Sequence, residues 1–271
     1  MWLKLMALAG ILYVAVTAAA YVMQTKALFP TGAVNIAERL PASAERIEIM
    51  SSSGHRLRGL YIPAALHQPA RTIILGFGGN AWNAENAAMY LHGLYPAAEI
   101  IAFHYRGYSP SEGQPSAAAL AADAPLVFDY ARLRFGDAPT IAVGFSIGSG
   151  VAASLAPNRP LAGAILVTPF NSLATLASAH YRWLPIRLIL RHQLDAAADV
   201  AKVRTPIAII AAERDRLIPS ANTDAFRRVV PNLVFDRIIA GAGHNDMYQN
   251  PEFRRAMQEA LERVFATEIP T

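Results

Sequence analysis

The sequence contains no cysteine. A disulfide framework, a thiol nucleophile and a cysteine-ligated metal are therefore excluded. Charge is sparse for a chain of 271 residues, with 24 basic and 20 acidic side chains, and it is scattered. No basic block with interleaved aromatics occurs, so nucleic acid is not an expected partner. The mild positive balance, +4, suits an anionic membrane surface at least as well. His-Glu-x-x-His, a P-loop and paired His/carboxylate spacings are missing, and neither a metal nor a cofactor is expected. There is no internal repeat and no low-complexity tract. One large core suits the length.

Apolar sequence, by contrast, is plentiful. Residues 5–23 form an uncharged run bracketed by Lys4 and Lys26. As a helix the run would measure about 28 Å, close to the hydrocarbon thickness of a bilayer. Residues 1–26 read as a single-pass membrane anchor. The competing reading is a signal peptide cut near Ala18-Ala19-Ala20. The length of the run and the bulk of Tyr13 and Tyr21 favour the anchor. Lys4 on one side faces Lys26 and Arg39 on the other, so charge sets orientation only weakly. A short N-terminal tail kept inside would put the rest of the chain in the periplasm of a bacterial inner membrane. Residues 27–44, broken by Pro30, Gly32 and Pro41, read as a linker.

Beyond Ala44 the pattern changes. Residues 46–50 and 56–62 alternate polar and apolar across Ser51-Ser52-Ser53-Gly54, a hairpin opening a domain over 45–271. Apolar runs then predict strands at 72–77, 100–103, 140–143, 164–168, 207–211 and 234–239. Between and after them, helices are predicted at 83–94, 117–134, 148–156, 221–229 and 252–265. Such alternation defines an α/β fold, a mostly parallel sheet with helices on both faces. Residues 169–204 are too long for one crossover and read as a small helical cap over the sheet's C-terminal edge, where open α/β folds bind ligands.

The chemistry centres on Gly144-Phe145-Ser146-Ile147-Gly148. This G-x-S-x-G pattern lies between a buried strand and an Ala-rich helix, the context a nucleophile elbow requires. Its sharp turn would expose the Ser146 hydroxyl, and the N–H of Ile147 would point at a developing oxyanion. A serine hydroxyl is a weak nucleophile and needs a base held by a third group. Of the histidines after Ser146, His180 and His192 lie in the cap. His244 follows the last strand in Gly241-Ala242-Gly243-His244 and is the expected base. The strand before it ends in Glu213-Arg214-Asp215, and Asp215, further into the loop, is the expected acid, with Glu213 the alternative. Gly76-Phe77-Gly78-Gly79-Asn80-Ala81 follows an earlier strand and offers the N–H of Asn80 as a second oxyanion donor. The same glycines match a dinucleotide-binding pattern, but the next strand ends in Phe103-His104-Tyr105-Arg106, without the carboxylate that pattern needs.

With Gly78-Gly79-Asn80-Ala81, Tyr105-Arg106-Gly107-Tyr108-Ser109, Thr168-Pro169-Phe170, Ile218-Pro219 and Gly243-His244-Asn245-Asp246 added, the chain resembles α/β-hydrolase-fold serine hydrolases. The similarity is to membrane-anchored α/β-hydrolase domain-containing and serine aminopeptidase-like members. The resemblance implies that Ser146 is the nucleophile, Asp215 the acid and His244 the base, with Asn80 and Ile147 as oxyanion donors. One departure stands out: the family usually carries His before the oxyanion-loop glycine, where this chain has Gly78. Family members cleave esters, thioesters, amides or peptides. An apolar cap beside a membrane points to a small or lipid-like acyl substrate. The rival from another class is a catalytically silent α/β-hydrolase-fold binding or scaffold protein. Nothing in the sequence determines the oligomeric state.

Overall fold

A computed structural model of the chain describes residues 1–34, 39–66 and 71–266. Five strands have no exposed residue: β3 (Ile73–Phe77), β4 (Glu99–Phe103), β5 (Thr140–Phe145), β6 (Gly163–Val167) and β7 (Ile207–Ala212). A strand that is apolar on both faces must be covered on both, which forces a parallel sheet between helices. Side chains alternate accordingly. Ile141, Val143 and Phe145 join one apolar cluster, while Ala142 joins the other. Helices α2 (Ala84–Leu94) and α9 (Pro251–Ala266) cover the first face. Helices α3 (Ala117–Phe135), α4 (Ile147–Leu155) and α8 (Ser220–Arg227) cover the second.

The sheet has eight strands in the order β1-β2-β4-β3-β5-β6-β7-β8. The predicted hairpin is β1 (Glu45–Met50) paired antiparallel with β2 (Arg56–Ile62), and β2 runs antiparallel to β4. All other pairings, through β8 (Leu233–Ile239), are parallel. The chain steps from β3 outward to β4, then returns to lay β5 on the other side of β3. That reversal is a topological switch point, and it opens a crevice at the strands' C-terminal ends.

Between β6 and β7 the chain forms three short helices, α5 (Leu173–His180), α6 (Ile186–Ile189) and α7 (Ala196–Val200). Helix α1 (Trp2–Leu28) runs past the expected end of the apolar segment. Gln24 is buried because its side chain is fully used: Nε2 donates to the carbonyls of Tyr21 and Ile189, and Oε1 accepts from the N–H of Arg191 at 2.7 Å. Thr25 Oγ1 meets His192 Nε2 at 2.8 Å. Phe29, predicted as linker, is 2% exposed in the core and packs edge-on against the His192 ring. The start of the predicted linker is therefore a packed junction. Its residues 35–38 lie outside the described residues, as does His67.

His104, just after β4, is buried, and its Nε2 has no hydrogen-bond partner among the described residues. Burial pulls its pKa down to about 4, with Arg46 adding to the effect and Glu85 opposing it. The folded state thus holds His104 neutral over a range where the unfolded chain binds a proton. Stability rises with pH there and is lost as pH falls from about 6.5 toward 4, by an amount of order 3 kcal/mol. His104→Leu is expected to flatten the fall in Tm between pH 6.5 and 4.5. Parallel slopes for parent and variant would contradict the assignment.

Candidate active site

Register brings the site together. Phe77 pairs with Gly144, so the loops leaving β3 and β5 emerge side by side at the switch point. Asp215 follows β7 and His244 follows β8, neighbouring parallel strands that end level, with Ala212 opposite Ile239. Strands that end together deliver their loops to one surface, and all of these loops converge on Ser146.

Ser146 has φ 53° and ψ −119°, a left-handed conformation that a non-glycine residue adopts only under constraint. The constraint is visible in the flanking glycines. A Cβ on Gly148 would lie 2.1 Å from the carbonyl oxygen of Phe77, and one on Gly144 would lie 2.2 Å from that of Gly148. Both obstacles are backbone, which cannot step aside cheaply. Gly148→Ala is expected to cost about 3 kcal/mol or more through overpacking, read as a lowered denaturation midpoint. A variant within about 1 kcal/mol of the parent would show that the turn is less tightly held than its backbone contacts require.

His244 Nε2 lies 3.1 Å from Ser146 Oγ, and His244 Nδ1 lies 2.6 Å from Asp215 Oδ2. The side chains of His244 and Asp215 are only 9% and 5% exposed. A carboxylate accepts only, so Nδ1 carries the proton and Nε2 offers its lone pair to Ser146. The other Asp215 oxygen, Oδ1, accepts from the N–H groups of Leu217 (2.9 Å) and Ile218 (2.7 Å). Asp215-Arg216-Leu217-Ile218 is therefore a turn that fixes the carboxylate plane. Glu213, the alternative acid, is used differently: it accepts from the N–H of Gly241 and braces the β8 loop. His180 Nε2 bonds the carbonyl of Leu217, and His192 is held by Thr25. Neither histidine bonds Ser146.

Asn80 and Ile147 both line a cavity with Ser146. Asn80 is oriented through Oδ1, which accepts from the Tyr108 hydroxyl at 2.9 Å. Tyr105 donates to the carbonyl of Gly78 at 2.8 Å, steadying the loop where the usual histidine is replaced. A Cβ at Gly78 would meet Ala87 and Trp82 at 3.6 Å, ordinary contact, so packing does not exclude a side chain there. Burial keeps Tyr105 and Tyr108 protonated, with pKa values pushed well up, which preserves them as donors. In the sequence this tyrosine loop figured only as part of the family resemblance, and its bond to Asn80 was missed.

Two cavities meet at Ser146. One, of about 230 Å³, is bounded by Leu28, Phe170, Leu173, Leu176, Ala177 and Tyr181, among others. The second, of about 390 Å³, is more polar and includes Asn80, Trp82, His244, Asn245 and Tyr248. Among the described residues, no group of three or more His, Asp or Glu side chains is arranged to hold a metal ion.

A part-buried, hydrogen-bonded Ser-His-Asp chain thus sits on a strand-turn-helix elbow at the switch point of the sheet. Residues 73–187 match the model of the alpha/beta hydrolase fold family. An uncharacterized protein of Mycobacterium tuberculosis is 33% identical over 235 residues, which cover 84% of this chain and 81% of that protein. The chain belongs to the α/β-hydrolase fold family. The lysophosphatidylserine lipase ABHD12 of Gallus gallus is 28% identical over 246 residues, covering 74% of this chain and 65% of the lipase. Its counterpart in Macaca fascicularis is 30% identical and is covered over 48% of its length, so this chain spans about half to two thirds of those lipases. An esterase of Pyrococcus furiosus superposes with a TM-score of 0.67 at 15% identity, over 85% of this chain and 95% of the esterase. An acetyl xylan esterase from Paenibacillus gives 0.68 at 16% identity, over 84% and 87%. At such identities the likeness is one of fold.

Proposed function

We propose that the protein is a serine hydrolase that cleaves an acyl ester or thioester of lipid-like character through an acyl-enzyme, beside a membrane. The observation that carries this reading is His244, which bridges Asp215 at 2.6 Å and Ser146 at 3.1 Å on a strained elbow. Ser146 Oγ attacks the acyl carbonyl while its proton passes to His244 Nε2, and Asp215 balances the imidazolium. The N–H groups of Asn80 and Ile147 receive the oxyanion. Collapse of the tetrahedral adduct breaks the bond to the leaving group, and His244 returns the proton to it. Water, deprotonated by His244, then attacks the acyl-Ser146 ester, releasing the acid and restoring the serine.

The membrane part of the proposal rests on α1, which is long and apolar enough to cross a bilayer by length and composition. In this reading α1 is the anchor, residues 169–204 are the cap, and the globular part lies outside the cytoplasm. A lipase among the relatives supports the choice of substrate class. A fluorophosphonate probe tests the chemistry directly. Labelling is expected in the parent and not in Ser146→Ala; a folded parent that takes no label would instead indicate a silent scaffold. Turnover of amino-acid amides with short- and long-chain esters both inert would overturn the acyl-ester choice.

A further inference from the structure

A third cavity, of about 290 Å³, lies between α1 and the cap, bounded by Ala20, Met23, Ala27, Leu184, Ile186 and Ile189, among others. It shares three residues with the apolar cavity at Ser146: Leu28, Ala177 and Tyr181. The two spaces therefore adjoin across a neck made by the end of α1 on one side and α5 on the other. Of these three cavities, His244 lines the polar one. A base that hands its proton to the leaving group must sit beside it, so the leaving group belongs on the His244 side and the acyl group on the neck side.

The cap also rides along α1. The Tyr13 hydroxyl donates to the carbonyl of Trp183 at 3.1 Å, while Leu28 lines the neck. Those α1 positions are fifteen residues apart, about 22 Å of helix. A cap that follows an apolar helix for that distance enters any bilayer the helix spans. Its outer face is suited to do so: Trp183 is 56% exposed and Leu188 is 85% exposed. Arg187 and Arg191 beside them can reach headgroups by snorkelling.

We propose that the last turns of α1 form one wall of the acyl-chain channel, so that a long acyl tail enters sideways from the bilayer between α1 and the cap and lies over Ala27 and Leu28 when its carbonyl reaches Ser146. This rests on the acyl-ester reading above. It makes the anchor a determinant of chain-length specificity, with each methylene added inside the channel worth about fourfold in kcat/KM.

The test uses the full chain in detergent micelles with p-nitrophenyl esters of four to sixteen carbons. Ala27 is exposed on α1, so bulk there does not disturb the core. Ala27→Phe is expected to lower the ratio of long-chain to short-chain kcat/KM at least tenfold, and Ala177→Phe, from the opposite wall, to do the same. A ratio within twofold of the parent for both would overturn the channel. An independent measurement needs no variant. A long-chain alkyl fluorophosphonate carrying a terminal diazirine, bound at Ser146 and irradiated, is expected to crosslink to α1 between residues 20 and 28. Crosslinks confined to other elements would overturn the proposal while leaving the hydrolase reading intact. A parent inert to all the esters and to the probe would remove both.

Discussion

Ser146→Ala is expected to lower kcat for ester hydrolysis by about four to six orders of magnitude, with little change in folding. The size follows from the unit in which the serine acts. Without Oγ there is no acyl-enzyme, and His244 and Asp215 have nothing to activate. What survives is the smaller acceleration from binding and oxyanion stabilisation, which in serine hydrolases is about 10³- to 10⁴-fold over water. Folding should be spared because the elbow is set by the backbone of Phe77 and Gly148 pressing on the flanking glycines, and alanine keeps the Cβ that serine has. Steady-state rates paired with denaturation midpoints check both halves. A kcat within tenfold of the parent would remove Ser146 from the chemistry.

Asp215→Asn should cost about 10⁴-fold in kcat, and the structure says why so conservative a change is so damaging. The N–H groups of Leu217 and Ile218 claim Oδ1. In the variant the asparagine carbonyl must take that place, which turns its NH₂ group toward His244 Nδ1. The imidazole then carries its proton on Nε2 and has no lone pair for Ser146. The side chain fits and the tautomer is wrong. Glu213→Gln is the control: it perturbs a brace on Gly241 and is expected to cost less than tenfold. A larger loss for Glu213→Gln than for Asp215→Asn would reverse the assignment of the acid.

Much of this was readable in the chain because it is local. Gly144, Ser146 and Gly148 form a turn whose steric demands lie within five residues and one neighbouring strand. The parallel strands reveal themselves by runs such as Ile207-Ala208-Ile209-Ile210, which no half-solvated strand would carry. Asp215 and His244 were singled out by their order after Ser146 and by the loops they occupy, and the structure brings both within hydrogen-bond reach of one another. Less legible were contacts between distant segments. The Tyr108 hydroxyl meets Asn80 across the crevice, and nothing in either local sequence announces it. The end of α1 was misjudged for a clearer reason. Pro30 does disfavour helix at Phe29, so the break was correctly sensed, but the apolar run was taken to stop at Met23, before the polar Gln24. Gln24, placed near the end of the anchor, gives no local sign of a partner beyond the helix. It is a buried side chain whose partners, the backbone of Ile189 and Arg191, lie about 165 residues away and are invisible to any pattern in the sequence.

That junction bears on how the protein can be handled. Trimming an apolar N-terminal helix is the usual route to a soluble catalytic fragment. Here a cut after Pro30 would take Phe29 out of the core, leave the ring of His192 without its neighbour, and strip two backbone groups of the Gln24 amide that satisfies them. The loss of one buried phenylalanine alone is of order 3–5 kcal/mol, a large part of what a domain of this size has to spare. The fragment would also present Ile186, Ile189 and Leu190 to water. A soluble version is better sought by recolouring the exposed apolar side of α1 with polar residues than by deleting the helix.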